Sequence, residues 1–184
     1  IHGNLIIDTT ADGALFALDA RTGKEVWTTQ VLDYKTGVHQ TSGPLIADGK
    51  VFAGRGCEPL VGAGPDNCVI TAHDAATGRE LWRFYTDGPV RLAPAVSGDK
   101  LYFACDDGHL YCLHAADGTL AWKFRGGPLD RLVLGNDRLI SIYPARGAPV
   151  VADGTVYFAA SVWPFMGVFI HALDAETGEV RWTN

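Results

Sequence analysis

The chain of 184 residues has 15 Lys and Arg against 21 Asp and Glu, which gives a formal net charge of −6 at pH 7. Because this acidic chain contains no basic run, its composition excludes the electrostatic footprint of a nucleic-acid-binding protein. Its apolar stretches are too short for a membrane-spanning helix, which needs roughly 20 apolar residues. The 22 glycines, nine prolines and single methionine favour short strands joined by turns. No signal peptide is visible in the sequence, which opens on Ile1-His2.

The predicted strands follow one order along the chain, and we label them A to D from the innermost outwards. The first unit, at about residues 1–30, enters at strand B and lacks the innermost strand. Complete four-stranded units are predicted at residues 43–86, 93–125 and 147–184. A short apolar strand A opens each complete unit, and an Asp/Gly turn follows it. The chain is therefore predicted to be one partial domain built from repeated sheets.

The third unit shows the strand pattern most clearly. Residues 101–105 predict strand B, and the turn Asp106-Asp107-Gly108 leads into strand C at 109–114. A second turn then leads into strand D at 120–124. Short runs rich in β-branched and aromatic residues, separated by Asp/Gly turns, predict successive antiparallel strands.

One phrase occurs four times, between strands C and D of each unit. It runs from Ala17 to Trp27 and returns three times with its glycine always four residues before its tryptophan. An Asp in three of the copies can accept backbone N–H bonds, and the glycine supplies a positive-φ position, so the phrase predicts a tight turn. The recurring residues are Gly23, Gly78, Gly118 and Gly178, with Trp27, Trp82, Trp122 and Trp182.

Four-stranded meanders at this period predict an all-β fold, a β-propeller in which each unit is one blade. A tryptophan at a fixed strand position, stacked near the turn of the next blade, would fasten neighbouring blades because one such side chain buries roughly 150–250 Å². A β-sandwich would not require so faithful a repeat.

The connections vary in length at one end of the blades only. The A–B and C–D turns are short, whereas the B–C connection expands at residues 54–68 and 161–167, and the D–A connection at 125–147 is long. Long loops on a rigid scaffold commonly carry function, so we expect the site at this end. The apolar loop Trp163–Gly167 either folds back onto its blade or contacts a partner.

The cysteines form two predicted pairs. Cys57 and Cys68 flank the expanded loop, where they form a disulfide in an oxidising compartment or remain two half-buried thiols. With a two-residue turn, Cys105 would face Leu110 and lie only diagonal to Cys112, which predicts two buried free thiols. Histidines in strand C are predicted to have core or cross-strand roles.

The repeated phrase, Ala-x-Asp-x-x-Thr-Gly-x-x-x-Trp, resembles the tryptophan-docking motif of quinoprotein dehydrogenases. These are eight-bladed propellers that hold pyrroloquinoline quinone (PQQ) and usually Ca²⁺. The same motif occurs in non-catalytic relatives, including the propeller of the outer-membrane barrel-assembly lipoprotein. Residues 3–86 resemble the early blades of a quinoprotein alcohol dehydrogenase, and the chain from residue 93 onward resembles uncharacterised bacterial repeat propellers.

The resemblance also implies site residues. These dehydrogenases use a glutamate of the same B–C loop as a Ca²⁺ ligand, which assigns Glu58 as the metal ligand. It places Thr41, Ser42, Arg55 and Gly56 against the carboxylates and ring of the quinone. The alternative is that Glu58 is a solvated charge paired with Arg55. The family's catalytic aspartate, its asparagine ligand, its quinone-stacking tryptophan and its adjacent-cysteine disulfide match no residues of this chain.

Two functions follow as hypotheses. The first is a PQQ-like propeller scaffold or binding module that is not catalytically complete in this chain. The second is a segment of a PQQ- and Ca²⁺-dependent alcohol dehydrogenase, so the sequence leaves open whether the protein is an enzyme.

The resemblance implies a bacterial periplasmic or extracellular location. The four blades are expected to be part of an eight-bladed ring, with a half-ring that pairs with a second copy and a closed four-bladed ring as alternatives. A protein partner or the second half of the propeller is the expected partner.

Overall fold

The chain folds into a succession of small antiparallel sheets. The structure, a computed structural model, describes residues 1–33, 35, 42–57, 68–135 and 138–184, together with the backbone of residues 38–39. Over these residues no helix has the length and apolar character needed to cross a bilayer.

Short strands make up most of the regular structure. In chain order they are β1 (Leu5–Thr9), β2 (Ala14–Asp19), β3 (Glu25–Gln30), β4 (Val38–His39), β5 (Leu45–Ala47), β6 (Lys50–Gly54), β7 (Gly56–Cys57), β8 (Val69–Asp74), β9 (Glu80–Tyr85) and β10 (Ala95–Ser97). They continue as β11 (Lys100–Ala104), β12 (His109–His114), β13 (Leu120–Arg125), β14 (Leu132–Gly135), β15 (Arg138–Ser141), β16 (Val150–Ala152), β17 (Thr155–Ala160), β18 (Phe169–Asp174) and β19 (Val180–Thr183).

Four of the sheets are the blades. Blade 1 is the three-stranded sheet β1-β2-β3, blade 2 is β5-β6-β8-β9, blade 3 is β10-β11-β12-β13 and blade 4 is β16-β17-β18-β19. All neighbouring strands in these sheets are antiparallel. The predicted all-β class with four-stranded antiparallel sheets is therefore confirmed.

Two small sheets lie in the connections. The strand β4, in the connection between blades 1 and 2, pairs with β7 of the B–C connection of blade 2, and β14 pairs with β15 as a hairpin between blades 3 and 4. A short 3-10 turn, Pro164–Met166, forms part of the B–C connection of blade 4. The hairpin differs from the prediction, which has a long connection at these residues.

The turn of the repeated phrase is held by its aspartate. Oδ1 of Asp74 accepts hydrogen bonds from the backbone N–H groups of Ala76 (3.1 Å) and Thr77 (2.8 Å), and Gly78 adopts a φ of 72°. The hydroxyl of Thr77 also donates to this oxygen at 2.7 Å. This bond and the backbone bonds favour the ionised carboxyl, so they lower the pKa of Asp74, the hydroxyl bond being the largest cause. The equivalent Asp19 and Asp174 make the same bonds.

A β-bulge follows in the same place in every blade. In blade 2, Ala72 pairs with Trp82 but His73 pairs with Glu80, so Leu81 is the extra residue. The same register shift occurs in the other three blades. A bulge re-aims the neighbouring side chains, which explains why each phrase delivers its tryptophan to the same position.

Each indole of blades 1 to 3 lies on the blade that follows. Trp82 donates from Nε1 to the carbonyl oxygen of Ala115 at 3.2 Å. A Cβ on Gly118 would stand 2.6 Å from Cε3 of this ring, so only glycine leaves room for it. Trp27 and Trp122 make the same contacts with the next Ala and Gly of their neighbours.

The hydrophobic core consists of layers between the blades. The layer between blades 1 and 2 contains Trp27 and Val51, the layer between blades 2 and 3 contains Trp82 and Phe103, and the layer between blades 3 and 4 lies around Val156. The facing surfaces of consecutive blades are therefore buried against each other, as in a propeller.

One register prediction is wrong. Cys105 does not face Leu110, because Leu110 pairs with Ala104. Instead the N–H of Cys105 donates to the carbonyl oxygen of His109 at 3.0 Å across a three-residue turn. The difference arises because the turn contains Asp106, Asp107 and Gly108, one residue more than the predicted two. Both Cys105 and Cys112 are nevertheless free and buried, as predicted.

Candidate functional site

The B–C and D–A connections meet at one end of the blades. The N–H of Val90, between blades 2 and 3, donates to the carbonyl oxygen of Arg55 at 3.0 Å. The N–H of Asp106 donates to the carbonyl oxygen of Pro89, also at 3.0 Å. The pattern recurs one blade further on, where Ala145 donates to Cys105. This end is therefore a set of backbone segments tied directly to one another.

Two of the predicted cofactor residues, Arg55 and Gly56, lie at the B–C connection of blade 2. Gly56 is buried in β7 and pairs with His39 of β4, which brings the connection against the segment that leads to Ser42. Ser42 is half-buried just before β5. Thr41 and Glu58 lie outside the described residues.

Arg55 is fully buried at this connection. Its Nη1 donates to the carbonyl oxygen of Ala53 (3.2 Å) and to Oγ1 of Thr71 (3.4 Å). Its Nε and Nη2 are buried without a hydrogen-bond partner among the described residues. Desolvation lowers the pKa of the guanidinium to about 10. A buried cation with two N–H groups unused is an unfavourable arrangement, and a carboxylate is the group that complements it best.

A second arginine, Arg138, contacts the neighbouring Cys57–Cys68 disulfide. Cys57 and Cys68 are bonded, with their Cα atoms 5.0 Å apart. Arg138 of β15 donates from Nη1 to the carbonyl oxygen of Cys57 at 2.7 Å, and the same nitrogen lies 2.7 Å from Sγ of Cys57 and 3.0 Å from Sγ of Cys68. The unpredicted hairpin therefore holds the base of the expanded loop of blade 2.

A buried carboxylate joins two further arginines in a cluster that was not predicted from the sequence. Oδ2 of Asp106 accepts from Nε of Arg91 at 2.7 Å and from Nη2 of Arg146 at 2.8 Å, and Oδ1 accepts from Nε of Arg146 at 2.8 Å. Two guanidinium groups around one carboxylate give this cluster a net positive charge.

A repeat position could have revealed the cluster. Arg91 stands two residues before Ala93-Pro94, and Arg146 two residues before Ala148-Pro149. Thr41 holds the same position before Gly43-Pro44. The same position before strand A is therefore Thr41 in blade 2, Arg91 in blade 3 and Arg146 in blade 4.

A separate cleft of about 500 Å³ lies between blade 3 and the hairpin. Asp107 and His109 line it, with Nδ1 of His109 at 3.4 Å from Oδ1 of Asp107. Lys123 and Leu139 also contribute to its walls. Of the predicted cofactor residues that the structure describes, none lines this cleft.

Within the described part of the chain, no group of three or more His, Cys, Asp or Glu side chains could hold a metal ion. The predicted Ca²⁺ ligand, Glu58, falls outside that part. The fit to PQQ therefore rests on its carboxylates, which suit the unused N–H groups of Arg55.

Curated relatives of the chain are quinoprotein dehydrogenases. Quinohemoprotein alcohol dehydrogenase ADH-IIG of Pseudomonas putida is 30% identical over 174 residues, which cover 93% of this chain and 22% of the relative. Methanol dehydrogenase [cytochrome c] subunit 1 of Methylorubrum extorquens is 29% identical over 186 residues, covering 97% of this chain and 27% of the relative. The chain thus spans about a quarter of the length of these relatives.

Solved structures share the fold. The quinohemoprotein alcohol dehydrogenase ADHIIG from Pseudomonas putida HK5 matches with a TM-score of 0.72 at 21% identity, over 98% of this chain and 33% of that one. BamB from Moraxella catarrhalis matches with a TM-score of 0.63 at 21% identity, over 99% of this chain and 61% of that one. The predicted β-propeller class and the resemblance to quinoprotein repeats are confirmed.

A family model accounts for the whole chain in two overlapping matches, at residues 1–66 and 60–184. It is the PQQ_2 model, described as outer membrane protein assembly factor BamB. The chain therefore belongs to this family of PQQ-like propeller repeats.

Proposed function

We propose that the chain is a propeller scaffold and binding module that contributes part of a PQQ site at its loop-bearing end, without forming a complete dehydrogenase. The observation that carries this proposal is Arg55, a fully buried guanidinium whose Nε and Nη2 have no partner in the described part of the chain. An anionic ligand would supply the missing acceptors.

The surroundings of Arg55 support a ligand with several carboxylates. Gly56 follows Arg55 directly and pairs with His39, and Thr41 and Ser42 follow His39 in sequence. Arg91 and Arg146 add positive charge at the same end. A bound quinone would supply the capacity to accept two electrons. This chain's residues would bind and orient it.

The second candidate function is catalytic. The chain would then be a segment of a periplasmic PQQ- and Ca²⁺-dependent alcohol dehydrogenase, in which Glu58 holds the metal. The identity to quinohemoprotein alcohol dehydrogenase ADH-IIG over 93% of this chain favours it. Because the chain spans 22% of that relative, most of any such active site would come from other residues.

Binding of PQQ tests the first proposal. PQQ is titrated into the chain by following the absorbance of the quinone, in the presence and absence of Ca²⁺. We expect one site per chain, and we expect Arg55→Leu to weaken it by about tenfold or more, the usual worth of a charge-assisted pair. Arg79→Gln, which removes an exposed arginine, is the matched control and should leave binding unchanged. Absence of binding, or equal affinity in Arg55→Leu, would contradict the proposal.

Dye reduction with ethanol separates the two functions. A scaffold binds PQQ without turnover, whereas a dehydrogenase reduces the dye with Ca²⁺ and loses this activity in Glu58→Gln. Glu179→Gln, at an exposed turn position, is the control. Turnover that depends on Glu58 would overturn the scaffold in favour of the enzyme.

A further inference from the structure

The cleft between blade 3 and the hairpin β14–β15 is a second candidate binding site. Its volume of about 500 Å³ lies within the range of small-molecule sites in proteins. The lining residues fall between Asp87 and Ile140, so the walls are formed by blade 3 and by the connections on either side of it. None of the described residues predicted to contact the quinone lines this cleft, which separates it from the proposed PQQ site.

Asp107 fixes the geometry of one wall of the cleft. Its side chain is 8% exposed, Oδ1 accepts the backbone N–H of His109 at 2.9 Å, and Oδ2 accepts the hydroxyl of Tyr111. Nδ1 of His109 is buried and lies 3.4 Å from Oδ1 of Asp107, a position that favours a proton on Nδ1. In that tautomer Nε2 is an acceptor, and it has no hydrogen bond to the described residues. His109 can therefore accept a hydrogen bond from a ligand.

Two opposite charges at the cleft lack counter-ions among the described residues. Asp87 and Lys123 both line the cleft and are both exposed, and neither forms an ion pair with a described residue. Nζ of Lys123 lies 5.8 Å from the centre of the Tyr111 ring. The further acid of the cleft, Asp130, lies 3.9 Å from Arg125 and so already has a counter-ion. The cleft therefore presents one carboxylate and one ammonium that do not neutralise each other.

The hairpin supplies an apolar wall. Leu132 of β14 and Leu139 of β15 line the cleft, and they are 57% and 60% exposed. Small-molecule sites commonly combine such an apolar wall with a few polar groups that fix the orientation of the ligand. Because burial of apolar surface is favourable in proportion to the area removed from water, a ligand with a hydrocarbon part would gain affinity by covering these leucines.

We propose that this cleft binds a small zwitterion with an apolar body, of the class of apolar α-amino acids. Asp87 and Nε2 of His109 would accept hydrogen bonds from the ammonium of the ligand, and Lys123 would pair with its carboxylate. The hydrocarbon part would lie on the leucines of the hairpin. Asp107 would be a positioning residue, because it holds the imidazole of His109.

The charge pattern favours a zwitterion over a ligand with a single charge. An amine would leave Lys123 without a partner, and a carboxylic acid would leave Asp87 without one, whereas a zwitterion pairs with both. Asp87, Asp107 and His109 do not form a metal site, since no group of three or more His, Cys, Asp or Glu side chains in the described ranges could hold a metal ion. The ligand that uses every group of the cleft is therefore an organic zwitterion.

Calorimetric titration with L-leucine and its derivatives tests this inference. Leucinamide keeps the ammonium without a carboxylate, and N-acetyl-leucine keeps the carboxylate without an ammonium. At neutral pH and constant ionic strength we expect one site per chain, with L-leucine bound about fivefold or more tightly than either derivative, because each derivative lacks one charge-assisted contact. Glycine, which lacks the apolar body, should also bind about fivefold or more weakly than L-leucine.

Two variants assign the two charges separately. Lys123→Gln should lose the preference for L-leucine over leucinamide and keep the preference over N-acetyl-leucine, whereas Asp87→Asn should show the reverse. Lys24→Gln, at an exposed lysine of blade 1, is the control and should keep both preferences. Absence of saturable binding of L-leucine, equal affinities of the wild type for the three ligands, or preferences unchanged in both variants would overturn the inference. The assay contains no PQQ, so its failure would leave the proposed PQQ site unaffected.

Discussion

Trp82 and Gly118 touch across the boundary between blades 2 and 3, so closely that a Cβ on Gly118 would lie 2.6 Å from Cε3 of the indole. The same blade boundary carries the bond from Nε1 of Trp82 to the carbonyl oxygen of Ala115. The glycine of the repeated phrase therefore has two roles. It allows the tight turn within its own blade, and it leaves the space that the tryptophan of the preceding blade occupies.

Replacing Gly118 tests this dual role. Gly118→Ala should lower the free energy of unfolding by about 3 kcal/mol or more, because strain at positive φ costs about 1–2 kcal/mol and displacement of the buried indole adds to it. Gly98→Ala is the control, since Gly98 has a φ of +58° and its Cβ position has no described atom within 4 Å. Chemical denaturation measures both. Equal losses in the two variants would show that the indole contact contributes nothing.

The carboxylate of Asp106 should be essential to the loop-bearing end. Asp106→Asn removes the charge that Arg91 and Arg146 share, so it should destabilise the protein by about 3 kcal/mol, the usual effect of breaking a buried ion pair. Asp130→Asn, at an exposed aspartate, should change stability by less than about 0.5 kcal/mol. A comparably small effect at Asp106 would contradict the structural role of the cluster.

The disulfide should contribute to stability in oxidising conditions. Removing the Cys57–Cys68 bond, which closes a loop with a sequence separation of 11, should cost about 2–3 kcal/mol by the loop-entropy relation. A reductant should therefore lower Tm in the wild type and leave Tm unchanged in a variant with both cysteines replaced by serine. If the reductant lowers Tm equally in that variant, the loss has another origin.

Acid should weaken the blades through two buried histidines. Burial is the largest cause that lowers the pKa of His73 and His171 below the ordinary value of 6.5. The unfolded chain then binds protons more readily than the folded one, so the free energy of unfolding should fall as pH drops through and below 6.5. Tm measured between pH 8 and pH 5 should show this decline.

Histidine variants identify the groups responsible. The decline should be shallower in a variant with His73 and His171 both replaced by glutamine, and unchanged in His2→Gln. An identical pH dependence in all three proteins would assign the acid sensitivity to other residues.

The sequence predicts the blades well because their determinants are local. The Asp74 turn, the positive φ of Gly78 and the position of Trp82 lie within eleven residues of one another, and the phrase repeats. The hairpin β14–β15 also has a local signal, two apolar runs on either side of Asn136-Asp137. The repeat pattern nevertheless predicts only a long connection at these residues, because no other unit has predicted strands there.

Contacts at the site depend on residues far apart in the chain. Arg138 reaches Cys57 across 81 residues, and no pattern of spacing indicates that contact. Arg146 reaches Asp106 across 40 residues, although both arginines of that cluster share a repeat position. The buried state of Arg55 follows from the packing of blade 2, which a loop sequence rich in glycine and proline does not reveal.

The thermal stability of the wild type and Arg55→Leu, each with and without PQQ, tests the central claim most directly. Without ligand, Arg55→Leu should have the higher Tm, since replacing a buried, uncompensated charge by an apolar side chain is stabilising. With PQQ at about 100 times its dissociation constant, the wild type should gain about 2.7 kcal/mol, a rise of roughly 5–10 °C for a domain of this size, whereas the variant should gain little. Equal gains in both proteins, or none in the wild type, would contradict a PQQ site at Arg55.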